Sequence, residues 1–184
     1  MIQLDTSWLQ HVQKPARYTG GEYNSIVKDH STVDVTMALG FPDVYEVAMS
    51  HLGIKILYGL VNRREDAVAE RVFAPWHDME EEMRKRNIPL FSLETRTPIK
   101  DFDVLAFTLQ YEMSFTNILN MLDLAGIPMY AKERDLDFPL LVCGGPCAYN
   151  VEPIADFFDI VSLGESEEWG DEFIDLFKAE KAKG

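Results

Sequence analysis

A short apolar run that ends in two glycines and a proline constrains the fold of this chain more than any other stretch. Leu140, Leu141 and Val142 are too few to be read as a helix, and Gly144–Gly145–Pro146 follows almost at once. We interpret this stretch as a buried strand that opens into a turn with exposed backbone. In an open parallel sheet, ligands bind at such turns, where the strands end.

Comparable apolar runs alternate with amphipathic helical patterns along the chain. Strands are predicted at 33–39, 103–109, 140–143 and 160–163, and the segments 71–74 and 90–93 compete for one edge. Helices are predicted at about 43–62, 75–86, 114–125 and 152–158, and from residue 165 onward. This alternation predicts an α/β, three-layer fold around a mostly parallel five-stranded sheet, with the flavodoxin-like order 2-1-3-4-5.

The expected helix starts each have more than one candidate capping residue. Asp43 and Glu46 have the spacing of a capping box for the first helix, and Ser50 is a second possible cap that would start this helix later. Ser114 or Thr116 is expected to cap the helix that follows the strand at 103–109. Gly126 is expected to end that helix.

Length and charge limit the domain organisation and the partners. We expect one domain at 33–184, preceded by an N-terminal arm at 1–32 that packs over its edge. The net charge of −14 argues against binding to nucleic acid or an anionic membrane. No apolar run approaches the roughly 18 residues of a membrane span, and two cysteines make no disulfide framework. We therefore expect a reduced, cytoplasmic protein.

The spacing of the two cysteines matches part of one cluster-binding motif. Cys143 and Cys147 have the spacing of the first two thiolates of the CxxxCxxC loop that holds a radical-SAM iron–sulfur cluster, but Asn150 stands at the third position. No cluster is therefore expected in this chain. An alternative hypothesis is that Cys147 is a reactive thiol at a helix N-terminus. No pair of the four histidines has zinc-binding spacing, and no metal site is predicted.

The predicted sheet brings several loops to one edge, where we expect the ligand site. The loops are Phe41 to His51, Gln110 to Asn117 and Gly144 to Asn150, flanked by the turn at Gly164 and Glu165. Their glycines, amides, hydroxyls and carboxylates give the candidate binding residues, which are Pro42, Asp43, Glu46, Ser50, His51, Gln110, Tyr111, Glu112, Ser114, Thr116, Gly144, Gly145, Pro146, Asn150, Gly164 and Glu165. No catalytic residue is predicted.

Several segments together resemble the N-terminal, cobalamin-binding-like domain of a radical-SAM protein family. They are RYTGGEYN (17–24), FPDVYEVAMSHLGIKILY (41–58), ERVFAPWHDME (70–80), LQYEMSFTNILNMLDLAGIP (109–128), CGGPCAYNVEP (143–153) and LGESEE (163–168). The resemblance implies a Rossmann-like fold with any cobalamin held over the strand ends. The [4Fe-4S] cluster and S-adenosylmethionine would bind in a barrel domain that this chain does not contain. The DxHxxG signature for a cobalt-ligating histidine is absent. Met49 stands two residues before His51 in place of aspartate, and the glycine after it is at position 53 instead of 54.

Three functions remain open at this point. The first is an accessory domain that positions cobalamin or substrate over a radical-SAM barrel in the same polypeptide. The second is a binding module of the same fold that takes another small ligand or a protein surface, without cobalamin. The third is a free-standing flavodoxin-like enzyme that uses Cys147 or Glu112, although no paired base is evident.

Overall fold

The computed structural model describes residues 6–183, and its strands form one parallel sheet. They are β1 (Val35–Phe41), β2 (Ala67–Phe73), β3 (Val104–Thr108), β4 (Leu140–Gly144) and β5 (Ile160–Val161). The order β2-β1-β3-β4-β5 confirms the predicted order and the three-layer α/β fold. In the central register, Leu105 of β3 pairs with Ala38 on one side and with Leu141 on the other.

Helices cover both faces of the sheet. They are α1 (Tyr45–Ser50), α2 (Leu52–Asn62), α3 (His77–Arg86), α4 (Phe115–Ala125) and α5 (Ser166–Lys181). Helices α2 and α5 pack on one face, and α3 and α4 pack on the other. Short 3₁₀ turns fill several of the connections. Within residues 6–183, no helix combines the length and apolar composition that crossing a bilayer requires.

The sheet separates two apolar cores because its strands alternate their side chains between the faces. Met37 and Leu39 join the core beneath α2 and α5, while Ala38 and Leu105 join the core beneath α3 and α4. All seven residues of β1 are buried. Each large aliphatic side chain buried in this way contributes about 1.5–3 kcal/mol of transfer free energy.

The edge strand differs from the prediction. It is Ala67–Phe73 rather than 71–74, and 90–93 contributes no strand to the described sheet, because Phe91 makes only an isolated bridge to Pro98. Two charged residues within this strand interrupt the apolar pattern from which strands were predicted. Glu70 and Arg71 are buried because each has a polar partner: Glu70 accepts a hydrogen bond from His30 Nε2, and Arg71 forms an ion pair with Glu94, both at 2.7 Å.

The predicted helix starts need correction. The helix expected over 43–62 is divided at His51, whose Nδ1 accepts a hydrogen bond from the Ile54 amide and so caps α2 in place of Ser50. Neither Asp43 nor Glu46 caps α1 by a side-chain hydrogen bond. Ser114 does not cap α4 either.

The predicted caps at the start of α4 are wrong, whereas the predicted end of this helix is confirmed. The Ser114 hydroxyl donates to the carbonyl of Tyr111, and Thr116 lies inside the helix. Gly126 ends α4 in a left-handed conformation with φ of 68°, as predicted.

The described part of the N-terminal arm contacts both faces of the sheet. Ile26 packs against the core beneath α2 and α5, where its amide donates to the Tyr58 hydroxyl at 2.7 Å, whereas the start of the arm packs on the core beneath α3 and α4. A 3₁₀ turn, Thr6–His11, is followed by buried Val12, and Trp8 and Leu9 are buried in the same core. Gly20 and Gly21 both have positive φ, of 66° and 84°, in a turn that none of the described strands flanks. Residues 1–5 of the arm and Gly184 lie outside the described residues, and the boundary between 32 and 33 stays a prediction.

Candidate functional site

A cleft of about 410 Å³ opens between α2 and α5, over the carboxyl-terminal halves of β1, β3 and β4. Its floor includes Ala106 and Thr108, which are only partly buried although β3 is the central strand. They are accessible because α2 and α5 do not close over this part of the sheet. The volume falls within the range of roughly 300–1,000 Å³ that is usual for small-molecule sites.

The walls of the cleft are mostly apolar. Helix α2 contributes Ile54 and Leu57, and α5 contributes Trp169 and Phe173, whose rings stack with centroids 4.7 Å apart. Polar groups are concentrated near the strand ends, where His51, Thr108 and Gln110 line the cleft. An apolar space with few, localised hydrogen-bonding groups suits a ligand with a flat apolar part and one polar edge.

Gly145 lets the loops after β3 and β4 approach each other. Its φ is 102°, and a methyl group on its α-carbon would lie 3.1 Å from both the Leu109 carbonyl oxygen and Thr108 Oγ1. The same loops are joined by hydrogen bonds from the Leu109 amide to the Gly144 carbonyl, at 2.7 Å, and from the Cys147 amide to the Leu109 carbonyl, at 2.9 Å. Only glycine meets both the conformation and the spacing.

His51 connects the loop after β1 to the loop after β3. Since Nδ1 accepts from the Ile54 amide, the proton of the neutral ring is on Nε2, which donates to Gln110 Oε1 at 3.1 Å. The Gln110 amide in turn donates to Thr108 Oγ1. The chain of hydrogen bonds fixes the polar end of the cleft and uses both nitrogens of the ring.

The cleft gathers part of the predicted site. The residues that line it are His51, Gln110, Gly144, Gly145, Pro146, Gly164 and Glu165. The others do not line it, and they are Pro42, Asp43, Glu46, Ser50, Tyr111, Glu112, Ser114, Thr116 and Asn150.

Some of the residues outside the cleft hold the surrounding loops together. Asp43 accepts hydrogen bonds from the Tyr111 hydroxyl, at 3.1 Å, and from the Val44 amide. The Pro42 carbonyl accepts from the Asn117 side chain at 2.9 Å. These contacts connect the loop after β1 with the loop after β3 and with α4, so these residues act on the cleft through the backbone.

Glu46 is committed to the N-terminal arm. It forms ion pairs with Lys14 and Arg17, each at 2.9 Å. Hydrogen bonds from Lys14 and then Arg17 lower the pKa of Glu46 to about 2. The carboxylate is thus ionised and paired near neutral pH, so it tethers the arm to α1 and does not reach the cleft.

Both cysteine thiols have a raised pKa. Burial raises the pKa of Cys143 to about 12. The pKa of Cys147 is raised by burial and by the neighbouring Glu112 carboxylate. A raised pKa leaves little thiolate at neutral pH, which argues against Cys147 as a reactive nucleophile. Within residues 6–183, no three His, Cys, Asp or Glu side chains lie close enough to hold a metal ion.

Most of the lining residues that the sequence analysis missed are apolar, and the polar ones are Thr108, Ser162, Ser166 and Glu167. Ile54, Leu57, Trp169 and Phe173 have the helical spacing of ordinary core residues. A single sequence carries no signal that separates an apolar side chain on a sheet from one beside a cleft. Only the gap between α2 and α5 makes the distinction.

The chain is similar to a protein family and to one archaeal protein. A family model described as "Radical SAM proteins, N-terminal" matches residues 53–184. An uncharacterized protein of Methanocaldococcus jannaschii is 27% identical over 134 residues, which cover 71% of this chain and 24% of that protein. The chain therefore spans about a quarter of the length of this relative.

Proposed function

Because the chain belongs to the family of N-terminal domains of radical SAM proteins, we propose that it binds a small ligand and presents it to a radical SAM barrel in the same polypeptide. The barrel would hold the [4Fe-4S] cluster and S-adenosylmethionine, because such a cluster needs three thiolates and this chain has two cysteines. Those two thiols are free, which agrees with a reducing, cytoplasmic location.

The observation that carries the proposal is the cleft at the carboxyl ends of β1, β3 and β4. It is large enough for a small ligand, apolar along α2 and α5, and open where Gly144 and Gly145 leave the backbone uncovered. Ligands of open α/β sheets bind at this edge. The cleft therefore supports a binding role.

Cobalamin is our leading candidate for the ligand. The apolar walls of the cleft and the small Gly144 and Gly145 fit the flat, weakly polar nucleotide base that hangs from the corrin ring. His51 does not fit the role of a cobalt ligand, because Nδ1 and Nε2 are both used in hydrogen bonds within the chain. We therefore propose that the cleft holds cobalamin by its tail, without a bond between cobalt and His51.

Titration with hydroxocobalamin tests this function. We expect a change in its visible spectrum, co-elution on gel filtration and quenching of Trp169 fluorescence, with Trp169→Phe identifying the signal. Ala106→Leu projects into the cleft and should raise the dissociation constant at least tenfold, about 1.4 kcal/mol. The exposed Leu136→Ala should bind as the native chain does. Native protein that leaves the spectrum unchanged and elutes apart from the corrinoid would rule out this ligand.

A cobalamin-free binding module is the second candidate. The full engagement of His51 favours it, since neither ring nitrogen of His51 is free to ligate cobalt. On this hypothesis an apolar aromatic probe such as anilinonaphthalene sulfonate quenches the fluorescence of Trp169 and binds more weakly to the Ala106→Leu variant. Hydroxocobalamin then leaves the fluorescence of Trp169 unchanged. Binding of both molecules, with competition between them, would favour the first candidate.

A further inference from the structure

Exposed apolar side chains surround the mouth of the cleft. They follow the carboxyl ends of β1, β3, β4 and β5, and we call them the apolar rim, which consists of Leu52, Tyr111, Met113, Tyr149 and Leu163. Three of them are each adjacent in sequence to a residue that lines the cleft: Leu52 to His51, Tyr111 to Gln110, and Leu163 to Gly164. The rim and the cleft therefore occupy the same edge of the sheet.

The exposure of the rim is large. Met113 is 84% exposed and Tyr149 is 76% exposed, although both lie on short, well-anchored turns. Single exposed apolar residues elsewhere on the chain are ordinary. A group of them around one cleft, held by turns such as Glu112–Ser114 and Pro146–Asn150, is instead typical of a surface that another protein surface covers.

Carboxylates accompany the rim. Glu165, Glu167 and Glu168 begin α5 at the cleft mouth, and none of them forms an ion pair within residues 6–183. Glu112 lies between Tyr111 and Met113 and contacts the Cys147 thiol. A surface that fits this edge needs apolar side chains at its centre and lysine or arginine opposite α5.

We propose that the apolar rim is the docking surface for the radical SAM domain, and that this domain closes the mouth of the cleft when it docks. The proposal rests on the function proposed above, because that domain is the occupant. The family description and the greater length of the relative are the reasons for choosing a further domain of the same polypeptide as the occupant. The carboxylates beside the rim call for a positively charged docking face on that domain. Docking at this edge would place a ligand in the cleft directly beneath the partner domain.

Photo-cross-linking in the intact parent polypeptide tests the docking surface. A photoreactive residue at Met113 or Leu163 is expected to link to peptides beyond residue 184. The matched control is Leu136, which is 96% exposed but precedes β4 and therefore lies toward the opposite edge. We expect at least tenfold fewer cross-links to the second domain from position 136. Equal yields, or links mainly to a second copy of the chain, would overturn the proposal.

Rim variants separate docking from ligand binding. Met113→Asp with Leu163→Asp should raise the rate of proteolysis between the two domains several-fold, while ligand-induced quenching of Trp169 stays unchanged, because neither residue lines the cleft. Cross-links from the rim without any ligand binding would leave docking intact and refute the ligand role. Ligand binding with no change in proteolysis and no cross-links would refute docking.

Discussion

At the scale of single residues, Gly145 is the position where the candidate site tolerates least change. Its φ of 102° and its closeness to Thr108 and Leu109 act together, because a side chain would meet both a strained backbone and the neighbouring loop. Gly164 provides a natural comparison, since it lines the same cleft with φ of 104° but has no heavy atom within 4 Å of its would-be β-carbon.

We predict that Gly145→Ala destabilises the chain more than Gly164→Ala does. Both variants carry the cost of a side chain at positive φ, about 1–2 kcal/mol, and Gly145→Ala adds the displacement of the Leu109 loop, for a total of about 2–3 kcal/mol. Urea unfolding of the two variants measures the difference. Equal midpoints would mean that the loop shifts freely and that Gly145 is not required for close approach.

His51 allows a second residue-scale prediction, because it caps α2 and also holds Gln110. His51→Ala loses both interactions, while asparagine is a good capping residue but is too short to reach Gln110 as the imidazole does. We expect His51→Ala to cost about 1–2 kcal/mol and His51→Asn to recover most of that loss. Ligand affinity should fall in both variants, because both free the polar end of the cleft. Thermal denaturation and the Trp169 titration report the two effects separately.

At the scale of elements, β2 shows what the apolar pattern could and could not predict. Strands β3 and β4 are near-continuous apolar runs, and the sequence predicted them to within a residue or so. Strand β2 starts with small residues and then carries Glu70 and Arg71, which are buried only because His30 and Glu94 lie beside them. Pairing of this kind depends on segments distant in sequence, so it leaves no local pattern.

The candidate site, like the sheet, was predictable only in part from the sequence. Glycines and polar residues after the strands were identifiable because parallel strands bring their carboxyl ends together. Which of them line the cleft was not, because that depends on how α2 and α5 sit on the sheet. Asp43 and Gln110 have equally suitable chemistry, yet Asp43 bonds to Tyr111 and only Gln110 faces the cleft.

Asp66 joins three elements and gives an element-scale prediction. It accepts two hydrogen bonds from Arg64 and one from Lys178 of α5, and these lower its pKa, with Arg64 contributing most. A carboxyl group whose pKa is lowered on folding stabilises the protein above its unfolded-state pKa of about 4, and the contribution is lost as pH falls toward the folded-state pKa.

We therefore expect Asp66→Asn to cost about 1 kcal/mol at pH 7 and progressively less below pH 4. Urea unfolding of the native chain and the variant, from pH 7 to pH 3, measures the pH dependence. Asp101→Asn, at an exposed aspartate, is the control and should change little. A difference that is independent of pH would show that the loss reflects packing and not the charge of Asp66.

At the scale of the whole molecule, the sheet is shared by two cores, and the start of the N-terminal arm, Thr6–His11, packs in one of them. Trp8 is 4% exposed among the side chains of the α3 and α4 face, and the Arg86 guanidinium lies over its ring at 5.8 Å. Trp169 lies on the opposite face, beside the cleft. A substitution that destabilises this part of the arm should therefore also destabilise the cleft, if the two cores unfold together.

We predict that Trp8→Ala lowers the stability of the whole chain by about 3–5 kcal/mol, the usual cost of truncating a buried tryptophan. Far-ultraviolet circular dichroism and Trp169 fluorescence should then show one transition with one shifted midpoint, because β1 and β3 contribute to both cores. Trp76→Ala, at a half-exposed position, is the matched control and should cost about 1 kcal/mol or less. If Trp169 kept its native midpoint while the circular dichroism signal changed early, the arm would unfold as a separate unit. The cleft would then be stabilised by the α2 and α5 face alone, and a ligand bound there would protect that face without protecting the arm.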